Sequence, residues 1–280
     1  MRVGVTAGRE AACSPAALAR LAQTAERLGC HSIWAIDHVV IPDRIESRHP
    51  AGGGIPPYFR TETPWADSLS VLAFLAGITT RIRLGTAVIP IITRHPLALA
   101  KQAATVDLLS GERLELGLGA GWLDEEAEAL GQGHDRKQAR LRQAIEIMRE
   151  AWTEPTVGRV DGLWRFAPVG VHPQPAGAAG IPIWIGARGP LGVATAAELG
   201  VGVVLMHSTP GTVAQVGGRL RALNPSGKVA AMVPLDRASD ARDTAGRLRE
   251  AGLDLLILSC GADLGRFVGE LEELRGLTDF

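Results

Sequence analysis

Residues 82–118 read IRLGTAVIPIITRHPLALAKQAATVDLLSGERLELGL, which is a strand, a helix and a strand in succession. Residues 82–89 and 113–118 are short runs rich in apolar and β-branched side chains, as is typical of buried strands. Residues 96–109 begin with a proline and continue without a break, as is typical of a helix. Parallel strands need a crossover of this kind, so the stretch predicts a β-α-β unit.

The same alternation runs through most of the 280 residues. Further strands are predicted at 2–6, 32–36, 181–187, 201–206, 229–235 and 253–259, and further helices at 15–28, 64–78, 136–152, 191–199, 212–223, 240–251 and 264–274. Eight such right-handed units close naturally into a (β/α)8 TIM barrel. The alternative is an open doubly wound sheet, but eight regular units of about 35 residues favour the barrel.

Two segments rich in proline and glycine interrupt the alternation. One is the loop 37–63, and the other is the stretch 153–180 after the fourth helix, where we expect an insertion with a short hairpin. Loops of this length in a compact protein usually carry function. We therefore expect a single domain over residues 1–280 in which both segments shape a substrate pocket or close over it.

Composition narrows the class of protein. The chain has 29 basic and 30 acidic residues, a net charge of −1, so it has no strong field of one sign to hold nucleic acid. Its three cysteines form no C-x-x-C pair, and a reducing cytoplasm fits them best. The N-terminus does not resemble a signal peptide, and the apolar runs are too short to span a membrane.

Active sites of TIM barrels lie at the C-terminal ends of the strands, so the residues that follow each strand are the candidates. They are Ala7, Asp37, His38, Pro90, Gly119–Trp122, Ala187–Gly189, His207, Ser208, Asp236, Cys260 and Gly261. In the Asp37–His38 pair a carboxylate can orient an imidazole and tune its pKa for proton transfer or cofactor binding. The other interpretation is a structural loop cap beside a histidine that only packs.

Two glycine-rich turns follow strands. Gly117-Leu-Gly119-Ala-Gly121 is not a dinucleotide fingerprint, because Trp122 stands where G-x-G-x-x-G needs glycine. Its glycines either let a planar ligand approach the backbone or relieve crowding at the strand end. The turn 186–190, GARGP, precedes a helix, so its amides and Arg188 form either a phosphate cradle or an ordinary turn with a solvated arginine.

Other side chains give fewer indications of function. The seven histidines form neither H-x-x-x-H nor H-E-x-x-H, so no metal site is predicted. There is no Walker A motif and no G-x-S-x-G elbow. Of the six tryptophans, we expect Trp65 and Trp122 near the pocket.

Three stretches together resemble the bacterial luciferase-like monooxygenase superfamily, and most closely its coenzyme F420 (deazaflavin)-dependent oxidoreductases. They are AERLGCHSIWAIDHVVIP (25–42), the stretch from PWADS to GWLDEE (64–126) and PIWIGARGP (182–190). They occur in the order seen in the family and cover most of the first two-thirds of the chain. The last 80 residues resemble the family only in their alternation of strands and helices.

The resemblance implies a flavin or deazaflavin at the C-terminal ends of the barrel strands. The ring system would pack on a bulge in the third strand, often with a non-prolyl cis peptide, and the phosphate would bind the turn 186–189. The implied cofactor-binding residues are Gly85, Thr86, Ala87, Gly119, Gly121, Gly186, Ala187, Arg188 and Gly189. His38 would be the proton donor or cofactor anchor, and Asp37 would orient it.

The sequence departs from the family at the implied site. Trp122 stands where some sugar-phosphate dehydrogenases of the family have a glutamate, which puts their reaction in doubt here. Gly186-Ala187-Arg188 replaces the usual Gly-Gly and a small polar residue, and the family's Asp-Gly-Trp after the next helix is absent. These changes affect the part that would hold the phosphate.

The resemblance therefore implies an oxidoreductase that moves a hydride between coenzyme F420 and a small organic substrate. One alternative is an FMN-dependent monooxygenase supplied by a flavin reductase. Another is a ligand-binding barrel that has lost its cofactor chemistry. The resemblance also implies a homodimer. The apolar character of helices 64–78 and 96–109 suggests them as its interface, but burial in the core explains that character equally well.

Overall fold

Strands and helices alternate along the parts of the chain that the computed structural model describes, which are residues 1–9, 13–49, 54–177, 180–206, 208–235, 238–259 and 264–273. The strands are β1 (Arg2–Ala7), β2 (Ser32–Ala35), β3 (Arg83–Thr86), β4 (Ile89–Pro90), β5 (Leu114–Gly119), β6 (Val157–Arg159), β7 (Phe166–Val169), β8 (Ile183–Gly186), β9 (Gly202–Met206), β10 (Val229–Pro234) and β11 (Leu255–Ser259). The helices are α1 (Pro15–Arg27), α2 (Ser68–Ile78), α3 (Pro96–Ser110), α4 (Asp124–Ala129), α5 (Lys137–Thr153), α6 (Pro190–Leu199), α7 (Pro210–Leu223), α8 (Ala238–Glu250) and α9 (Leu264–Glu273).

The parallel strands close into a barrel. They lie in the order β3-β2-β1-β11-β10-β9-β8-β5-β4, and β3 also pairs with β5, with Leu84 opposite Leu114. Each barrel strand therefore pairs with the strands that precede and follow it along the chain, apart from the separate hairpin β6–β7. This closure confirms the predicted (β/α)8 barrel and excludes the open doubly wound sheet.

Two tryptophans fill the interior of the barrel. The rings of Trp34 and Trp184 meet edge to face, with their centroids 6.2 Å apart. A Cβ on Gly85 would lie 2.4 Å from the Trp34 ring, and one on Gly202 would lie 2.3 Å from the Trp184 ring. These glycines thus make room for the rings, so the barrel is a packed core and not a pore.

The third strand differs from its prediction. We predicted one strand over 82–89, but β3 ends at Thr86 and pairing with β5 resumes only at Ile89. The peptide bond between Ala87 and Val88 is cis. The interruption is the bulge that the family resemblance implied, and apolar periodicity alone does not reveal it.

Helix α2 begins four residues later than predicted. Its N-cap is Asp67, whose carboxylate accepts a hydrogen bond of 2.8 Å from the Ser70 amide. The short helix α4 lies between β5 and α5, where the sequence analysis predicts no element. The other predicted helix and strand ends agree with the structure to within two residues. No helix in the described ranges is long and apolar enough to cross a membrane.

The insertion forms the expected hairpin but packs on the outside of the barrel. In β6–β7, Val157 pairs with Val169. Gln143 of α5 accepts hydrogen bonds from the amides of Leu163 (2.8 Å) and Trp164 (3.1 Å), and Lys101 of α3 binds the carbonyl of His172. The described part of the hairpin is thus anchored to the outer helices, and its role in shaping a substrate pocket or closing over it stays a prediction.

Candidate active site

The predicted site residues converge at one end of the barrel. His38 follows β2, Val88 belongs to the bulge after β3, Trp122 follows β5, and Gly186 ends β8. A Cβ on Gly119 would lie 2.8 Å from Val88 Cγ2, and one on Gly186 would lie 3.3 Å from the same atom. The bulge therefore lies against the C-terminal ends of β5 and β8, where active sites of such barrels are found.

His38 is held by a residue that the sequence analysis did not select. Its Nδ1 lies 2.7 Å from Oε2 of Glu126, and both side chains are buried. The second oxygen of Glu126, Oε1, accepts hydrogen bonds from the amides of Val39 (2.6 Å) and Val40 (3.3 Å). One carboxylate thus fixes both the ring and the start of the following loop. Nε2 makes no hydrogen bond with a described residue and remains available to a ligand.

Asp37 does not orient His38, and this part of the prediction is wrong. Its carboxylate pairs with the Arg94 guanidinium at 2.7 and 3.1 Å and accepts hydrogen bonds from the amide and hydroxyl of Ser68. Burial disfavours the Arg94 cation, but Asp37 and Asp67 outweigh it and raise the pKa of Arg94. Asp37 therefore joins the loop after β2, the start of α2 and the segment after β4.

We expect Asp37→Asn to lower the free energy of unfolding by about 2 kcal/mol, because a buried guanidinium loses half of its compensating charge. Asp67 still supplies the other half of the compensating charge, so the loss of stability is smaller than for an isolated buried ion pair. Urea unfolding measures the change. The matched control is Asp67→Asn, in a half-exposed carboxylate on the same arginine. An Asp37→Asn loss no larger than the control would contradict this assignment.

The glycines at the end of β5 and just after it are explained by crowding. A Cβ on Gly117 would lie 1.9 Å from the Thr86 carbonyl oxygen, and one on Gly121 would lie 2.4 Å from the Ile92 side chain. Gly121 also has a φ of +86°, in the left-handed region that favours glycine. The structure thus accounts for these glycines through the bulge and Ile92. Ligand contact at Gly119 and Gly121 stays a prediction.

The turn after β8 presents unused backbone donors. Gly189 is the N-cap of α6 without a side-chain cap, and Pro190 occupies the first turn. The amides of Leu191 and Gly192 make no hydrogen bond with another described residue. Arg188 donates a hydrogen bond of 2.8 Å to the Met206 carbonyl, so it is tied to the end of β9. The amides suit an anion, because a helix N-terminus carries about half a positive charge.

Gln138 adds a second polar group beside this helix start. Its Oε1 is buried without a hydrogen-bond partner in the described residues. The same oxygen lies 3.9 Å from the position of a Cβ built on Gly192. Since amide oxygen and nitrogen can exchange places by rotation, Gln138 can present its NH2 group to an anion there.

Aromatic side chains enclose His38. Its ring centroid lies 5.0 Å from that of Phe59, 4.8 Å from that of Trp65 and 6.3 Å from that of Trp122. Both tryptophans that we expected near the pocket are thus beside this histidine. Trp65 Nε1 is buried without a hydrogen-bond partner in the described residues, and an unpaired buried donor is costly. Phe59 and Trp65, which precede α2, thus pack against His38, and the role of the loop after β2 at a substrate pocket stays a prediction.

The sequence analysis missed Glu126 and Arg94. Glu126 lies in the first turn of α4, so its position after β5 already placed it at the right end of the barrel. It lies 88 residues from His38 along the chain, so no local motif links the two side chains. Arg94 follows the bulge in the same way. Listing every charged side chain within about ten residues of each strand end would have included both.

Some candidates cannot be placed. His207, Asp236, Cys260 and Gly261 lie outside the described residues. In the part of the chain that is described, no group of three or more His, Cys, Asp or Glu side chains is arranged to hold a metal ion.

A wide cavity opens at the opposite end of the barrel, among the N-terminal ends of the strands. Arg83 and Trp184 line it, and both bind the buried carboxylate of Glu115, at 2.5 and 3.0 Å. The three side chains thus meet one another's hydrogen-bonding needs, and active sites of such barrels lie at the opposite end. We therefore do not treat this cavity as the candidate active site.

Comparison with known proteins gives a consistent result. Residues 1–251 match the sequence profile described as luciferase-like monooxygenase. An F420-dependent glucose-6-phosphate dehydrogenase of Amycolatopsis mediterranei is 30% identical over 208 residues, which are 73% of this chain and 57% of that protein. The oxygenase component of a flavin-dependent trigonelline monooxygenase of Acinetobacter baylyi is 31% identical over 172 residues, 61% of this chain and 42% of that protein.

Other matches define the extent of the similarity. The chain spans about three-fifths (61%) of the first curated relatives, uncharacterized mycobacterial proteins that are 35% identical over 180 residues, 63% of this chain. Among solved structures, an F420-dependent secondary alcohol dehydrogenase in complex with an F420–acetone adduct has a TM-score of 0.78 at 16% identity. That alignment covers 98% of this chain and 97% of the other. At this identity the structural match supports the fold alone.

Proposed function

Because the chain belongs to the luciferase-like monooxygenase family, whose named relatives are oxidoreductases and monooxygenases, we propose that it transfers a hydride between coenzyme F420 and a small organic substrate. The observation that supports this proposal is the state of His38. The imidazole is buried in an aromatic enclosure at the C-terminal ends of the strands, and a carboxylate fixes only one of its two nitrogens. Such a group can exchange a proton with a bound substrate or anchor a cofactor.

The residues at this end of the barrel fit a cofactor with a flat ring and a phosphate. Val88 on the bulge is half-buried and offers an apolar side chain between the ends of β5 and β8, while Thr86 and Ala87 beside it are buried and support the bulge. The unused amides of Leu191 and Gly192 suit the phosphate. The remaining residues that the resemblance implied, Gly85, Gly119, Gly121, Gly186, Ala187, Arg188 and Gly189, stay in the proposal as neighbours of these two contacts.

When bound, the deazaflavin would supply the hydride acceptor or donor. The protein would contribute a fixed imidazole and a dry enclosure. His38 would take up or give a proton at Nε2, since Nδ1 is committed to Glu126. Phe59, Trp65 and Trp122 would keep water from this nitrogen, which strengthens its interaction with a substrate. In this proposal Asp37 has a structural role, because its carboxylate pairs with Arg94.

FMN with oxygen is the alternative chemistry, and one curated relative is the oxygenase component of a flavin-dependent monooxygenase. Two assays separate the chemistries. The first follows anaerobic reduction or oxidation of coenzyme F420 with a panel of small organic substrates, and the second follows oxygen uptake with FMN and a flavin reductase. We expect turnover only in the first. Turnover only in the second would replace F420 by FMN, and turnover in neither would favour a barrel without cofactor chemistry.

A substitution at the helix start tests the phosphate contact. We expect Gly189→Asp to weaken cofactor binding at least about tenfold, because a carboxylate at the N-cap accepts hydrogen bonds from the amides of α6 and repels an anion. A Cβ on Gly189 meets nothing within 4 Å and its φ is −75°, so the fold tolerates a side chain here. Calorimetric titration of the cofactor measures the effect.

The matched control is Gly189→Ala, which adds the Cβ but no charge or acceptor and is expected to bind like the wild type. Aspartate is a good N-cap residue, so Gly189→Asp should melt at or slightly above the wild-type temperature. Loss of binding without loss of stability then points to the amides. Unchanged binding in Gly189→Asp would move the phosphate away from this turn.

We also propose a homodimer through the outer faces of α2 and α3, where Phe74, Leu108 and Leu109 are exposed. We expect Leu109→Glu to halve the mass measured by light scattering, from twice 29.5 kDa to 29.5 kDa, because an interface does not accept an unpaired buried charge. The control is Leu223→Glu, at an equally exposed leucine that ends α7. A wild-type monomer, or a dimer that survives in Leu109→Glu, would exclude this interface.

A further inference from the structure

Glu126 makes contacts that go beyond holding a loop. Its buried carboxylate receives two backbone amides on Oε1 and the His38 ring on Oε2. A backbone N–H can only donate, so Oε1 is fixed as an acceptor. The geometry of Oε1 therefore also fixes which end of the carboxyl group faces His38.

The direction of the contact with Oε2 decides which imidazole nitrogen carries the proton. An ionised carboxylate can only accept, so Nδ1 would carry the proton and donate it to Oε2. In a neutral ring the other nitrogen then carries only a lone pair. Nε2, which has no hydrogen bond with a described residue, would be an acceptor.

We propose that Glu126 is a positioning residue that holds His38 in the Nδ1–H tautomer, so that Nε2 meets the substrate as a hydrogen-bond acceptor. One consequence rests on the proposed function: the bound substrate presents an O–H or N–H donor to Nε2 of His38. The proposed tautomer is argued from the three contacts of Glu126 and requires no cofactor.

A neighbouring carboxylate supplies a matched control. Glu125 tethers the same loop in the same way, since its Oε1 accepts hydrogen bonds from the amides of Glu46 (2.7 Å) and Ser47 (2.9 Å). Its other oxygen accepts a hydrogen bond from the Ser47 hydroxyl and binds no histidine ring among the described residues. Glu125→Gln therefore changes a loop tether without changing the partner of His38.

Glu126→Gln reverses the polarity of the contact while preserving its shape. The amides of Val39 and Val40 still need an oxygen, so the side-chain NH2 of the glutamine must face Nδ1. Nδ1 must then accept, and the ring proton moves to Nε2. This is the opposite tautomer in a side chain of nearly the same size.

The experiment is 15N NMR of histidine-labelled protein without cofactor, at about pH 9, where histidines with ordinary pKa values are neutral. His38→Gln assigns the signals. We expect a protonated Nδ1 and an unprotonated Nε2 in the wild type and in Glu125→Gln, and the reverse in Glu126→Gln. A wild type with the proton on Nε2, or a tautomer that is unchanged in Glu126→Gln, would overturn the proposal. The wild-type spectrum decides even if Glu126→Gln does not fold.

Turnover provides a second readout. With the F420 assay, we expect Glu126→Gln to lower kcat more than tenfold and to change KM less, while Glu125→Gln stays near the wild type. A normal wild-type tautomer without F420 turnover would refute the proposed function and leave the role of Glu126 intact. A reversed tautomer with undiminished kcat would refute the link between this hydrogen bond and the reaction.

Discussion

His38→Ala is expected to lower F420-dependent turnover by a factor of about a hundred to ten thousand, the usual contribution of a positioned proton-transfer group. The ring is buried between Phe59, Trp65 and Trp122, and Glu126 fixes its orientation. Steady-state kinetics with saturating cofactor measures the loss.

A control separates this loss from a general disturbance. His134→Ala removes a half-exposed histidine that pairs with Glu128 at 3.1 Å on α4, and we expect wild-type turnover from it. Circular dichroism and a melting curve establish whether His38→Ala remains folded. Folded His38→Ala that retains turnover within a factor of about three would exclude a catalytic role for this ring.

Gly117→Ala is expected to destabilise the protein by at least about 3 kcal/mol, near the upper end of overpacking substitutions. The new Cβ would lie 1.9 Å from the Thr86 carbonyl oxygen, which belongs to the backbone and cannot rotate away. The Thr86 hydroxyl also donates to the Gly117 carbonyl at 2.8 Å, and the Gly117 amide donates back to it at 2.9 Å. The clash should displace the bulge together with β5. Urea unfolding measures the loss of stability.

The matched control is Gly218→Ala in α7, where a Cβ would meet nothing within 4 Å. Because alanine is the better residue inside a helix, we expect this variant to gain about 0.5–1 kcal/mol. Equal effects of the two substitutions would mean that the contact between the bulge and β5 does not limit stability. Weakened cofactor binding in Gly117→Ala would in addition support the bulge as the surface on which the ring system packs.

The order of the barrel could be predicted from the sequence because each unit carries its own signals. Apolar runs, helical spacing, caps such as Ser14 and end signals such as Gly29 are local. In the structure Ser14 is the N-cap of α1, and Gly29, with a φ of +79°, follows the end of the same helix. The closure of the sheet into a barrel follows from the number of β-α units, which is eight. The interruption after Thr86 is different, because an apolar run continues through it and only the cis bond at Ala87–Val88 marks it.

The candidate site was predictable in position but not in its pairings. The place of His38 at the end of β2 follows from the fold class. Its partner depends on how the loop after β2 meets α4, which is a contact between distant parts of the chain. The same holds for Asp37: adjacency suggested His38, but Arg94 offers a full opposite charge to its buried carboxylate. Charge compensation across the fold thus outweighed proximity along the chain.

Cofactor preference is the most direct test of the proposed activity. Apoprotein titrated calorimetrically with coenzyme F420 and with FMN in the same buffer gives two dissociation constants for one preparation. We predict that F420 binds at least about tenfold more tightly, a difference of about 1.4 kcal/mol. Tighter binding of FMN, or binding of neither compound, would contradict the proposal that this barrel is an F420-dependent oxidoreductase.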